Sequence, residues 1–514
     1  MQLLSVLGNI LLFVIVLSVV ICIHELGHFY FAKKAGILCH EFSFGMGPRI
    51  WSKKKGETTF SIRAFPFGGF VSMSGEEINK DIVNVGDTVK LMFDDMGRVK
   101  RIILKPKANA YDDIENTVVE KIDLWGENMA SLYLNEYEVR RDAFYLMDGV
   151  DLQIAPEERN FNTKNKRQRF MVTVAGAMMN IVLAFFVFLI IAMFWGVADP
   201  SSKTISEVTT DSPAHLVFES GDEIIAINGV DVFSWSEDNN LPSVNTELAK
   251  YTTEAIVFTV LRDGQSLDLP AVTRQLMFYS LGFASQVDTN DLIIGLPLYK
   301  TTELKTGDKI ISIDGVTFSN WQDVIDFSLT YPGSTEEIPT TIIVERDGEQ
   351  LAFNYIAYNE DTLSAMGQSS FVSRVGITGS SKFSFFGSFK AAVESLYSST
   401  ISIYATLGLL FTSDQVGVGD LSGFVGIYSI TSQAAKDGLR SLLSWVGLLS
   451  VNLGVVNLLP IPALDGGRLV FIVYEAITKR KPNQKIENLL HTIVLFLLLG
   501  LMVFITYKDI LRLF

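Results

Sequence analysis

Residues 24–28 read His24-Glu25-Leu26-Gly27-His28, an H-E-x-x-H motif. On a helix, positions four apart share a face, so both imidazoles point the same way. At that spacing they can hold one Zn²⁺, with Glu25 beside them as the base for a water held by the metal. A pair of buried structural histidines is the competing reading. The motif closes an apolar run that begins at Leu3, which would put the ion at membrane depth. Ionisable groups there are costly and are usually functional. Cys22 stands two positions from His24 and does not share its face, so it is not counted as a ligand.

A mononuclear zinc site usually takes three protein ligands and keeps one open position. His40, His215 and His491 lie in no ligand motif. Residues 457–468, NLLPIPALDGGR, offer a better donor. An aspartate beside two prolines and two glycines in an apolar segment is expensive unless paired. Broken helix is tolerated at that depth where it is buried in protein or faces a polar cavity. Asp465 is therefore the expected third ligand, with a helix-breaking structural acid as the alternative. Asn457 can donate a hydrogen bond to a substrate carbonyl or an oxyanion.

The elements carrying these groups read as membrane spans. The chain has 514 residues, a formal net charge of -15 and a mean hydropathy of +0.30. The apolar residues concentrate at the two ends and the acidic ones in the long middle, which has no bias toward nucleic acid. With only Cys22 and Cys39, it is not a disulfide scaffold. Residues 1–32 form the first expected span. No basic residue precedes the apolar run and no small-residue cleavage pattern follows, so it is not read as a secretory signal. Residues 169–198, 440–476 and 488–508 are three more, each long enough to cross a core of about 30 Å. Residues 385–438, with Ser398, Ser399, Ser402 and Thr406 in their apolar stretch, read as an amphipathic interfacial segment. Basic groups at 33–55, 164–169 and 479–485 mark the cytoplasmic side. Both termini and the acidic middle then face outward.

Residues 41–75 suggest β-hairpins with a turn near Lys55-Gly56. Phe65, Pro66, Phe67, Gly68, Gly69, Phe70 and Val71 could form a membrane-associated strand edge that pairs with an extended substrate, or part of a small surface sheet. Residues 76–168 read as an inserted cytoplasmic module with strands and no chemical constellation. The outward middle holds a duplication. Residues 221–229, GDEIIAING, recur as GDKIISIDG at 307–315, an offset of 86, and the Arg-Asp-Gly at 262–264 recurs at 346–348, an offset of 84. SLGF at 280–283 has a possible partner in RVGI at 374–377. The pattern resembles PDZ domains, one at 201–290 and one at 291–380. Such a pair could grip extended peptide or act only as a size filter.

Taken together, HELGH at 24–28, FPFGGFV at 65–71, GAMMN at 176–180, LSGFVGI at 421–427 and NLLPIPALDGGRL at 457–469 resemble the site-2 protease family, in its bacterial RseP-type subgroup of regulated intramembrane zinc metalloproteases. Ala177 departs from the proline usual at that place, which bears on local helix geometry. The resemblance implies a polytopic α-helical membrane protein with four transmembrane helices, a membrane-associated β-hairpin loop and two extracytoplasmic PDZ-like domains. It implies Zn²⁺ on His24, His28 and Asp465, with Glu25 and Asn457 catalytic. Expected partners are single-span membrane proteins, such as anti-sigma factors or remnant signal peptides, an upstream site-1-type protease and membrane lipid. The enzyme is expected in the bacterial plasma membrane, working as a monomer without nucleic acid.

Two other classes remain open at this level. A metal transporter also needs ionisable membrane residues, but it gives no role to Glu25 between two ligands. A scaffold using the PDZ-like pair needs none of His24, Glu25, His28 and Asp465.

Overall fold

The computed structural model describes residues 2–76, 82–105, 114–147, 150–209, 212–236, 241–287, 289, 291–298, 303–335 and 337–511, with residues 2–6, 66, 67, 105 and 484 described by backbone alone. Among them are α1 (Gln2–Lys34), α2 (Lys166–Trp195), α3 (Val244–Leu248), α4 (Trp321–Thr330), α5 (Glu360–Ala365), α6 (Phe385–Thr412), α7 (Phe424–Lys436), α8 (Leu439–Asn457), α9 (Asp465–Thr478) and α10 (Gln484–Leu511). Four of these, α1, α2, α8 and α10, carry stretches long and apolar enough to cross a membrane. The chain is a multi-pass membrane protein. In α10 only 6% of the apolar window is buried in protein. Helix α6 is not among the four. Its Phe386, Phe389, Val393, Tyr397, Tyr404 and Phe411 are exposed at helical spacing.

The chain divides into two compact units, Met1–Val187 with Tyr428–Met502, and Phe188–Ile427 with Val503–Phe514. In the first unit, strands β1 (Cys39–Lys55) and β2 (Thr58–Met73) form a hairpin that folds back on itself. Ser43 pairs with Phe70 on one side and with Ser61 on the other. Residues 69–72 thereby become an outer strand of a small curled sheet. Ala32, Ile37, Cys39, Val71, Phe161 and Val172 form one core that joins α1, this hairpin and α2. The inserted module folds as a seven-stranded sheet between Thr88 and Gln153. Its core includes Val89, Ile102, Leu132, Leu134 and Val139.

The duplication is visible in the second unit as two four-stranded sheets of the same strand order. One runs Val230–Asp231, Glu223–Ile227, Phe258–Arg262, Gln265–Asp268, and the other Val316–Thr317, Lys309–Ile313, Thr340–Arg346, Glu349–Tyr355. In each, the Asp of Gly-Asp accepts from the Arg of Arg-Asp-Gly. Arg262 reaches Asp222 at 2.7 Å through both Nε and an Nη, and Arg346 reaches Asp308 at 2.6 and 2.8 Å. Both aspartates are 1% exposed. Burial pushes these carboxyls up, but the arginines outweigh it and hold both below the usual carboxylate range.

The packing does not divide at 290/291, where the sequence suggests a boundary. Leu276, Phe278, Leu281 and Phe283 belong to the core that holds Ile310, Ile313 and Ile342. Val375 belongs to the core of Ile224, Ile227 and Phe258, and Ile377–Gly379 pairs with Ile205–Val208. Each core is thus completed by residues from the segment that follows the other sheet in sequence. The SLGF and RVGI stretches sit in exchanged cores, and the second copy is nested within the first. A linear repeat does not reveal this exchange, because the periodicity is the same whichever core a strand enters.

Candidate metal centre

Helix α1 stacks His24 and His28 on one face, as their spacing requires, and both are buried. Helix α8 ends at Asn457, and a turn carrying Pro460 and Pro462 leads to Asp465, the first residue of α9. A carboxylate in that first turn is favoured by the helix dipole. Two links dock α9 against α2. Arg169 donates to Glu475 at 2.6 Å with both side chains buried, and Lys166 donates to the Glu475 carbonyl at 3.0 Å.

Nε2 of His24 lies 3.1 Å from Nε2 of His28, and each nitrogen is 3.2 Å from Asp465 Oδ2. Tetrahedral zinc with bonds of about 2.0–2.1 Å separates its ligand atoms by about 3.3–3.4 Å. The triangle has the dimensions of one face of such a tetrahedron. The donors are also suitable. His28 Nδ1 faces the Val172 carbonyl at 2.8 Å, so it carries the hydrogen and leaves Nε2 a lone pair. Asp465 Oδ2 is buried with no hydrogen-bond partner among the described residues. Lone pairs converging on one point are unfavourable without a cation, so the residues fit zinc. Among the described residues, these three form the metal-compatible group, and Cys22 is not part of it.

Helix α2 closes the back of the site. A Cβ on Gly176 would lie 2.3 Å from His28 Nε2 and 2.7 Å from His24 Nε2, so no side chain is tolerated there. A Cβ on Gly27 of α1 would lie 2.3 Å from the Ala175 carbonyl oxygen, which is why α1 and α2 approach so closely. Ala177 is buried inside an uninterrupted α2. Asn180 is fully buried, with its side-chain amide 3.3 Å from His24 Nδ1 and its Oδ1 unpartnered. The amide orientation that satisfies both groups turns Oδ1 toward a protonated Nδ1 and leaves Nε2 for the metal.

A cavity of about 430 Å³ opens onto the triad. Glu25, Asn457, Gly68, Gly69, Phe70 and Val71 all line it. A Cβ on Gly69 would be 3.5 Å from Glu25 Cγ, so the outer strand of the hairpin passes directly beside the acid. Phe65 is more than half exposed and does not line the cavity. Glu76 and Arg468 form an ion pair at its wall, and His491 also lines it. Neither Gly176, Asn180 nor His491 has a role in the motif reading. The first two stand within the quoted GAMMN stretch, but nothing in its spacing assigns them to the histidines. His40 lies elsewhere, with Nε2 2.6 Å from Ser74 Oγ.

The family model for Peptidase family M50 matches residues 12–501. The chain belongs to peptidase family M50. It is 31% identical over 514 residues to the zinc metalloprotease RasP of Shouchella clausii, covering 99% of this chain and 100% of that one. It is 30% identical over 516 residues to the regulator of sigma-W protease RasP of Bacillus subtilis, covering 99% of each. A putative zinc metalloprotease of Staphylococcus aureus is 29% identical over 518 residues, 99% of this chain and all of that one. This M50 peptidase is a zinc metalloendopeptidase of the site-2 type, with the two histidines of its metal-compatible group on the membrane-length helix α1 and Asp465 at the start of α9.

Proposed function

We propose that the enzyme cuts single-span membrane proteins within or beside their transmembrane helices, and that its substrates are anti-sigma factors or remnant signal peptides. The observation that carries the reading is the triangle of two nitrogens and one oxygen, each pair 3.1–3.2 Å apart, opening on the cavity that also holds Glu25. The name of the Bacillus subtilis relative, regulator of sigma-W protease, supports a regulatory substrate.

His24, His28 and Asp465 would hold the zinc ion. When bound, zinc supplies the Lewis acidity that activates a water and polarises the scissile carbonyl. Glu25 accepts the proton of the attacking water and delivers it to the leaving amine nitrogen. The Asn457 amide donates a hydrogen bond to the carbonyl oxygen as negative charge develops there. Residues 68–71 offer an outer strand to the unwound substrate, whose backbone must leave its helix before it can be cut. Phe65, Pro66 and Phe67 precede them in the same strand and extend this edge. The nested pair of sheets acts as PDZ-like domains outside the membrane. They filter substrates by ectodomain size, so that an upstream site-1-type protease acts first. Helix α6 lies in the lipid interface, both termini face outward, the module of residues 76–168 faces the cytoplasm, and one copy of the chain suffices.

Cleavage of a model single-span peptide in detergent or lipid tests the assignment. Asp465→Asn should weaken zinc binding and abolish most turnover. Equal zinc content and equal turnover would remove Asp465 from the metal. A chain lacking residues 201–380 should still cut a short-ectodomain peptide and should begin to cut one with a bulky folded ectodomain. Unchanged discrimination would end the filter reading.

A further inference from the structure

We infer that His491, on a span that supplies no metal ligand, is a positioning residue for Asp465 and thereby sets zinc affinity. The inference rests on Asp465 being a zinc ligand. It starts from the turn that delivers Asp465. Pro460 and Pro462 have no N–H to give. Ile461 and Leu464 donate within the turn, to Leu459 at 2.7 Å and to Ile461 at 3.1 Å. Ala463 differs on two counts. Its φ is 78°, in the left-handed region that alanine enters only at a cost. Its N–H leaves the turn and donates to Nδ1 of His491 on α10 at 2.8 Å.

That hydrogen bond fixes the imidazole. A donor facing Nδ1 requires a lone pair there, which puts the hydrogen on Nε2. Nε2 is enclosed and meets no acceptor among the described residues. An enclosed donor without a partner is unfavourable, and a leucine of similar size would avoid the penalty. Packing alone therefore does not account for a histidine at this place. The bond to Ala463 does. It holds the backbone in its strained conformation two residues before Asp465. Without it the turn would relax toward ordinary φ and swing Oδ2 away from the two imidazoles. Both His491 and Ala463 line the cavity of the triad, so the displacement would occur at the site itself. Outer-shell groups of this kind typically change metal affinity 10–100-fold.

The test measures zinc affinity of the full chain in detergent by competition with a chromophoric chelator, together with the visible spectrum of the Co²⁺-loaded protein, which reports ligand geometry. His491→Leu should weaken zinc roughly 10–100-fold and alter the cobalt spectrum. His491→Asn, whose Oδ1 can stand where Nδ1 stood, should keep both close to the parent. Ala463→Gly in the His491→Leu background should recover much of the loss, because glycine takes positive φ freely. An unchanged affinity in His491→Leu, an equal loss in His491→Asn, or no recovery with Ala463→Gly would each overturn the inference. Should His491→Leu fail to fold, His491→Asn against His491→Gln carries the same test, since glutamine places its polar atoms nearer the Nε2 position. Equal affinities in that pair would overturn it. Asp465→Ala separates this result from the ligand assignment. If it too binds zinc like the parent, the assignment fails and takes this inference with it. If only His491→Leu is unaffected, the assignment stands and His491 is not a positioning residue.

Discussion

Asp465 in the cavity of the triad and Asp222 or Asp308 in the nested sheets are the same residue in opposite circumstances. Asp222 and Asp308 are 1% exposed and saturated by bidentate arginines. Asp465 is directed at two imidazole nitrogens, and its Oδ2 has no hydrogen-bond partner among the described residues. A buried carboxylate that is satisfied within the protein holds structure together. One that is left unsatisfied beside other lone pairs stores an affinity for something else. The same contrast separates the two regions. In the sheets, charge is neutralised locally, once per copy. In the cavity, groups from separate helices converge on a point where none satisfies another.

The sharpest way to break the comparison is at Glu25. Glu25→Gln should lower peptide cleavage on the order of 10³-fold or more while zinc content stays at parent level. Turnover within a few-fold of the parent would mean that the cavity has no single proton carrier. The next effect in size is expected at Gly176. Gly176→Ala places a methyl against both ligand nitrogens and should weaken zinc binding roughly 100-fold, read by chelator competition. Full zinc affinity in that variant would show that α2 can withdraw from the histidines.

The saturated pairs should behave differently. Asp222→Asn or Asp308→Asn leaves a partly buried arginine without its partner and should cost about 2 kcal/mol of local stability. Hydrogen exchange in Glu223–Ile227 or Lys309–Ile313 would register it, with zinc affinity unmoved. A loss of zinc there would erase the distinction between the regions. The smallest effect is in pH. Both carboxyls are held below their usual range in the folded chain, so their contribution is complete above about pH 4 and disappears as pH falls through the folded values. Protection in these strands should stay flat from neutral pH to about 4 and then decline. The Asn variants should show a shallower decline, and an identical one would remove these groups as its cause.

Much of this molecule was legible from residue order alone, because the relevant physics is local. Helical periodicity puts His24 and His28 on one face, and length with hydropathy marks the four spans. The proline–glycine run flags Asp465 as a polar break in an apolar segment, and the repeated Gly-Asp and Arg-Asp-Gly elements announce a duplication. Only the tertiary structure decided which distant groups meet. Ala463 and His491 are 28 positions apart, His24 and Asn180 are 156 apart, and no period links either pair. The exchange of segments between the two cores is equally silent in sequence, since a strand's alternation is satisfied by either core. Gly176 is the same kind of case: it reads as one small residue in an apolar helix, and becomes indispensable only when another helix brings two imidazoles against its Cα.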